Sequence, residues 1–506
     1  MNKIFPFLAL VILFSCKKES NSVIETPPYE SVNEDLSSYR EISTLNLGGL
    51  GAAEITDFDP STSRLFAVNN GTTNKIDVID FTNPASIRVV ASISMAPYGG
   101  YVNSVAVSNG KVAAAIESLN KQENGKVAIF DTKTLAEIKV VQVGALPDMI
   151  TYTPDGKFIL TANEGEPNDA YTVDPEGSIS IISTEDYSVK TINFTSWEGA
   201  YTVLAGKGMR VFGVGRNFTK DIEPEYITVS KDSKTAWVTL QENNAIAKID
   251  IQSKTIIDIL PLGFKNYSLP NYLIDPSDRD SKIDFTSIYK NIFGMYLPDA
   301  VSNIRINGVN YLITANEGDA REYAGFSEIK RASLVVMDPT VFPDRVTLRT
   351  DAQLGRLNIT TTLGDLDGDG DYDQLYSLGA RSFSVWNAET GQQVFDSGNE
   401  LDIKAKELNI YDDGRSDDKS VEPEAATTGW VGKTPIAIIG MERADAFAIY
   451  DITDPAKPLF IKMFVTGDAP EGILFIPASK SPIGQSLIVV SSENDGNIKV
   501  YRANKL

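Results

Sequence analysis

One short strand-like segment recurs along this chain, and that repetition limits the fold more than any other feature. The copies are KIDVIDF (75–81), KVAIFD (126–131), SISIIS (178–183), AIAKIDI (245–251), SLVVMD (333–338), SFSVWN (382–387), AFAIYD (446–451) and NIKVYR (497–502). Each shows the period-two alternation of a half-buried strand. A second strand precedes most of them, as in KFILTANEG, TAWVTLQEN, NYLITANEG and SLIVVSSEN, and turns such as Asp155-Gly156-Lys157 or Asp232-Ser233-Lys234 separate the units. No long amphipathic helix stands out. The pattern predicts an all-β fold, a single β-propeller over 42–506, because a lone repeat of this kind cannot bury its apolar faces and a closed ring of them can. Eight copies favour eight blades; seven with one irregular insert is the alternative.

Acidic residues recur in phase with the units. The segments entering successive blades carry Glu54, Asn103, Asp148, Glu225, Asp299, Glu424 and Glu471, mostly directly after a proline. A second series follows at the end of the next strand: Asn70, Glu117, Glu164, Glu242, Glu317, Glu442 and Glu493. If equivalent positions occupy equivalent places, both series ring one rim of the central channel. Asp148, Glu164, Glu225, Asp299, Glu424, Glu442 and Glu471 are then candidates for a ligand or second metal site. Carboxylates crowded there need a counter-charge, from a cation or from Arg216, Arg321, Arg381 or Arg443.

The most specific motif is Asp-Leu-Asp-Gly-Asp-Gly-Asp-Tyr-Asp at 365–373. Alternating carboxylates on a tight loop converge on one centre, and Gly370 at the sixth position permits the sharp turn. Asp365, Asp367, Asp369 and Asp373 would offer carboxylates and Asp371 a backbone carbonyl, a donor set for Ca2+. The twelfth position is Tyr376 where an EF-hand has glutamate, so a helix-loop-helix site is excluded. Two further acidic segments, Asp275 to Asp280 within an excursion over 261–298 and Asp412 to Lys419, precede rim positions and are candidates for lid or substrate contacts.

Composition decides what such a site can do. The chain has 506 residues, no histidine, one cysteine, 46 Lys+Arg and 68 Asp+Glu, a net charge of -22. The absence of histidine excludes Ser-His-Asp catalysis and His-ligated zinc, and the charge argues against nucleic acid. The single cysteine, Cys16, excludes an internal disulfide. It follows a lysine and a short apolar run, MNKIFPFLALVILFS, too short to span a bilayer and suited to a signal peptide. The ending Leu13-Phe14-Ser15-Cys16 resembles a lipobox, which implies a signal peptide over 1–15, lipidation at Cys16 and a polar tether over 16–41. The expected location is a bacterial outer membrane, on its periplasmic or cell-surface side.

The strings LPDMITYTPDGKFILTANEGEP, ITANEGDARE, GDLDGDGDYDQLYSLGARSFSVWN, RSDDKSVEPEA and GDAPEG resemble the choice-of-anchor I family, over roughly 42–503. That family is similar to mesenchyme-specific cell-surface glycoproteins of biomineralising animals, with YVTN- and FG-GAP-like propeller repeats. The resemblance implies an extracytoplasmic propeller that binds calcium. Two functions follow. One is a calcium-binding exported lipoprotein whose propeller binds a surface or phosphate-containing ligand. The alternative is a calcium-dependent phosphoesterase of alkaline phosphatase or phytase type, with carboxylate-bound metal and arginine at the rim. Glu317, Asp319 and Arg321, together in ANEGDAR, are the catalytic candidates for that alternative; a salt bridge within the rim is the other role open to them.

Overall fold

A computed structural model describes residues 30–506; the signal segment 1–15, Cys16 and the tether as far as residue 29 lie outside the described residues. Seven four-stranded antiparallel sheets follow one another, over 56–94, 102–145, 147–192, 224–261, 301–396, 423–465 and, for the last, 470–505 with 34–46. The innermost strand of each sheet packs on the innermost strand of the next, and that of the seventh on that of the first, so the sheets close a ring. The chain is a β-propeller.

Within each blade the pattern of burial explains the repeat. The second and third strands, such as Phe158–Asn163 and Ser178–Ser183, are buried at nearly every position because a neighbouring sheet covers each face. Their Ile, Val and Ala side chains fill the space between sheets, as in the cluster of Leu160, Ile179, Ile181, Val238, Ala247 and Ile249 between the third and fourth blades. Outer strands are half exposed and keep the polar alternation.

The lower of the two blade numbers applies. Of the eight repeat copies, seven are third strands of blades. SLVVMD is not a strand: Ala332–Leu334 is a 3-10 turn, and Met337 forms only an isolated bridge to Tyr372. It lies in an insertion between the second and third strands of the fifth blade, Val309–Asn316 and Ser382–Asn387. No neighbouring strand covers Leu334 or Val336, which remain exposed. The excursion over 261–298 joins the same insertion. Phe264–Asn266 and Ile292–Met295 pair with Leu375–Ser377, Asn358–Thr360 and Ile329–Arg331 in a five-stranded satellite sheet.

The range expected for the tether, 16–41, overlaps a blade at its C-terminal end. Glu34–Asn46 is a strand and forms the outer edge of the seventh blade, antiparallel to Asn497–Lys505. Buried Glu34 accepts the Ser486 N–H at 3.0 Å, and the Tyr39 hydroxyl lies 2.6 Å from that of Ser486. The two ends of the described chain thus close the ring. Among the described residues no helix is long and apolar enough to cross a membrane.

Candidate functional site

In five of the seven blades the first acidic series reaches the channel through a local backbone device. The ladders shift register at Pro147/Ile150, Pro224/Ile227, Pro423/Ala426, Pro470/Gly472 and Val102/Ser104. A bulge of this kind releases a residue from the pairing and re-aims its side chain. The residue after each proline is the acid of the series. Asp148, Asp299 and Glu471 line an internal cavity of about 60 Å3 together with Asn103 and Tyr226. Burial and mutual repulsion raise the whole set. Burial pushes Asp148 up to about 6, with Glu166 and Glu117 adding to it, and Glu54 up to about 8, with Glu493 and Asp148 adding. Glu225, Asp299, Glu424 and Glu471 lie well above the ordinary carboxylate range for the same two reasons.

The second series stands on strand ends that an asparagine holds in place. Asn163 and Asn316 are fully buried and donate to Ser180 and Ser384 on the adjacent strands, at 3.1 and 2.9 Å. Thr161 and Thr314 each donate to these asparagines at 2.9 Å. The shared Thr-Ala-Asn-Glu-Gly string is therefore a strand-end clamp that presents Glu164 and Glu317. In the second copy Gly318 is required, because a Cβ there would lie 2.2 Å from the Gly379 Cα.

The counter-charges at the rim are mainly not the expected arginines. Lys419 donates to Glu317 at 2.5 Å and lies 3.3 Å from Glu422, and Glu317 also accepts from Gln241 at 2.9 Å. Despite its burial, Glu317 is held below the usual range by the Lys419 charge. Arg443 pairs with Glu442 at 2.8 Å, and Arg415 with Asp418 at 3.0 Å and with Glu422 at 2.5 Å. Oxygens of Glu317, Glu422 and Glu442 lie within 4.8 Å of one another, but these cations already surround them. Burial, opposed by Arg443, brings Glu442 up to about 7; Glu242 reaches a similar value and Glu164 lies well above its ordinary range.

Glu317 and Asp319 share Lys419, at 2.5 and 3.8 Å, and Arg321 does not join them. Asp319 is 61 % exposed, on an open groove of about 390 Å3 shared with Glu166, Tyr323, Arg415 and Lys419. Arg321 is 1 % exposed; it pairs with Asp221 and, through Nε, with Glu223 at 3.2 Å. Its guanidinium lies over Phe212, 4.7 Å from the ring centroid, and that of Arg210 lies 3.9 Å from the same centroid. Arg210 in turn pairs with buried Glu328. Arg381 is buried as well and donates to the carbonyls of Asp275, Ser416 and Asp418, at 2.8, 2.9 and 2.8 Å, while Arg216 is exposed. Residues 317–321 do not form a strand, so the rule that alternate residues share a face does not hold for them.

The two other acidic segments form one network. Arg356 bridges Asp278 and Asp417, both at 2.8 Å, and Arg331 reaches Asp417 at 2.7 Å. They brace the satellite sheet, and Arg415 and Lys419 extend to the rim. Sequence reading missed Glu422 and Glu223, and took Lys419 for a lid or substrate contact where it is a counter-charge. The signal lay in the two Glu-Pro-Glu strings, 223–225 and 422–424, whose first glutamate is buried as an anchor for the insertions and whose second faces the channel.

In the 365–373 loop, Asp365 accepts the N–H groups of Gly368 at 2.7 Å and Gly370 at 3.1 Å, and Asp373 accepts that of Leu366 at 2.9 Å. Oxygens of Asp365, Asp367 and Asp369 converge within 4.8 Å. Asp371 and Asp373 form a second group, with Asp338 of the displaced SLVVMD segment. Asp371 Oδ1 is shut off from solvent and accepts no hydrogen bond. Converging carboxylates on one loop, with an orphaned oxygen beside them, fit a hard cation of the calcium type.

Fold and site together define a β-propeller with an acidic channel mouth and an aspartate loop. The chain belongs to the choice-of-anchor I domain family, whose model matches residues 54–455. It is 28% identical over 193 residues to Gigasin-3a of Magallana gigas, a match covering 31% of this chain and 68% of that protein. It is 24% identical over 342 residues to the mesenchyme-specific cell surface glycoprotein of Strongylocentrotus purpuratus, covering 56% of this chain and 43% of that one. The chain therefore spans less than half the length of the sea-urchin relative. Among solved structures, hydrazine synthase of Kuenenia stuttgartiensis is similar at a TM-score of 0.49 and 13% identity, over 90% of this chain and 96% of that one.

Proposed function

We propose that this protein is a calcium-binding, exported surface module, held to the membrane by a lipid on Cys16, whose propeller engages a surface ligand without chemical turnover. The carrying observation is the convergence of Asp365, Asp367 and Asp369 on a loop of a family of surface propellers. The cell-surface name of the sea-urchin relative supports the location. Calcium would be held by these carboxylates, with Asp371 and Asp373 adjoining, and would neutralise a loop that otherwise gathers five aspartates between 365 and 373. The ligand expected is a phosphate-containing or other surface molecule, and a bacterial outer membrane is the proposed site of anchoring.

The phosphoesterase alternative has little to support it in this arrangement. Its arginine is consumed by Asp221 and Glu223, and its acid and guanidinium point to different places. Calorimetric titration of the mature chain with Ca2+ tests the calcium reading, which fails if Asp367→Ala with Asp369→Ala binds the ion as the parent does. Membrane fractionation of a Cys16→Ser variant tests the anchor; retention in the membrane fraction would overturn it.

A further inference from the structure

We propose that the channel mouth is a second cation site, separate from the aspartate loop, which takes a partly hydrated hard divalent ion. Six carboxylates, Glu54, Asp148, Glu225, Asp299, Glu424 and Glu471, face one channel from six different blades. Among the described residues no donor reaches Asp148, Glu225, Asp299, Glu424 or Glu471, and only Asn70 serves Glu54, at 2.8 and 3.1 Å. The Oε2 atoms of Glu424 and Glu471, on adjacent blades, are closed off from solvent and accept no hydrogen bond. A buried carboxylate oxygen left without a donor costs several times what an exposed one does, and two on neighbouring blades call for a shared positive charge.

The protein does not supply that charge itself. Lys121 and Lys419, the lysines whose charges are felt at Asp148 and Asp299, are engaged elsewhere, with Glu117 at 3.6 Å and Glu317 at 2.5 Å. None of the ion pairs formed among the described residues includes any of the six. The contrast with the Glu317, Glu422 and Glu442 group is direct. There Lys419, Arg415 and Arg443 occupy the place of an ion, whereas among the described residues no lysine or arginine pairs with the acids of the channel mouth.

The donor set selects the ion. Only oxygens face the cavity from charged side chains, so calcium or magnesium is favoured over softer metals. No three of the six carboxylates bring oxygens within 4.8 Å, in contrast to the loop. Direct coordination by all of them is therefore excluded, and the ion keeps water that the acids hold in turn. The cavity of about 60 Å3 has room for several such waters, since about 10–15 Å3 of accessible space is enough to hold one. Tyr226 lines the same cavity and serves as a spectroscopic reporter.

Tyrosine-sensitised terbium emission and calorimetry on the full mature chain test the site, with Ca2+ and Mg2+ titrated separately to tell which ion it prefers. The loop variant Asp367→Asn with Asp369→Asn is expected to keep one bound ion. Adding Glu424→Gln and Glu471→Gln should weaken that remaining binding by about tenfold or more, as for groups that act through metal-bound water. Tyr226→Phe should dim the emission while leaving the calorimetric affinity in place. Loss of all binding in the loop variant would overturn the channel site and leave the loop reading standing. Conversely, an ion that survives the loop variant and is the sole one in the parent would sink the loop and support the channel. The glutamine changes relieve repulsion, so folding should persist; Asp148→Asn with Asp299→Asn is the second test, and unchanged affinity in both channel variants would overturn the proposal.

Discussion

Arg321 Nε donates to Glu223 Oε2 at 3.2 Å, and both side chains are shut away from solvent. The contact ties the insertion of the fifth blade to the residue immediately before the innermost strand of the fourth, so a guanidinium that sequence placed at a reactive rim is a structural bolt. Removing one partner of a buried pair leaves its counterpart unpaired. Arg321→Ala should therefore cost about 3–5 kcal/mol, read as a fall in the denaturant midpoint, with Arg321→Lys recovering part of it. A variant as stable as the parent would show that Asp221 and Glu223 need no guanidinium.

Calcium should stabilise the chain through the 365–373 loop. An ion at a hundredfold excess over its Kd adds about 2.7 kcal/mol, so the melting temperature should fall when EGTA is added. Asp367→Ala with Asp369→Ala should remove the part of this shift that the loop contributes. A melting curve indifferent to chelator would count against calcium.

The N-terminal strand Glu34–Asn46 should behave as the latch of the ring. Deleting it exposes the edge of Asn497–Lys505, a row of unpaired backbone groups that invites pairing with another chain. Size-exclusion chromatography is expected to show larger species than the parent forms, together with a lower melting temperature. Elution and melting unchanged from the parent would refute the latch. Tyr39→Phe, which only removes the contact to Ser486, should cost about 1 kcal/mol.

Asp57 should make stability depend on pH. Burial raises it from 3.8 to about 6, against the N–H groups of Phe58 and Val107 that it accepts at 2.7 and 2.6 Å. The folded chain thus binds a proton more readily than the unfolded one. Its stabilising contribution is complete below about pH 4 and is lost as pH rises through about 6, on the order of 2–3 kcal/mol in all. Asp57→Asn has no such group. The gap between parent and variant should move in the variant's favour from about pH 4.5 to about pH 7, measured by urea denaturation. A constant gap would exclude the shift.

How much of this was legible in the sequence differs from feature to feature. Strand period, turn residues and the Pro-acid spacing are local, and they determined the all-β propeller, the two acidic series and the aspartate loop. Even the blade number was present, because the acidic series has seven rows where the strand list has eight: SLVVMD has the alternation of a strand, and alternation says nothing about whether a neighbouring sheet will cover it. Pairing partners between distant segments were beyond reach. That Glu34–Asn46 closes the ring depends on the edge left by Asn497–Lys505, and that Lys419 neutralises Glu317 depends on how a loop 102 positions away folds over the rim. Whether a carboxylate meets an arginine, a lysine or an empty cavity is decided by direction in space. Of the closely spaced Glu317, Asp319 and Arg321, the two acids share Lys419 while the arginine turns to Asp221 and Glu223, and only the tertiary structure sets that.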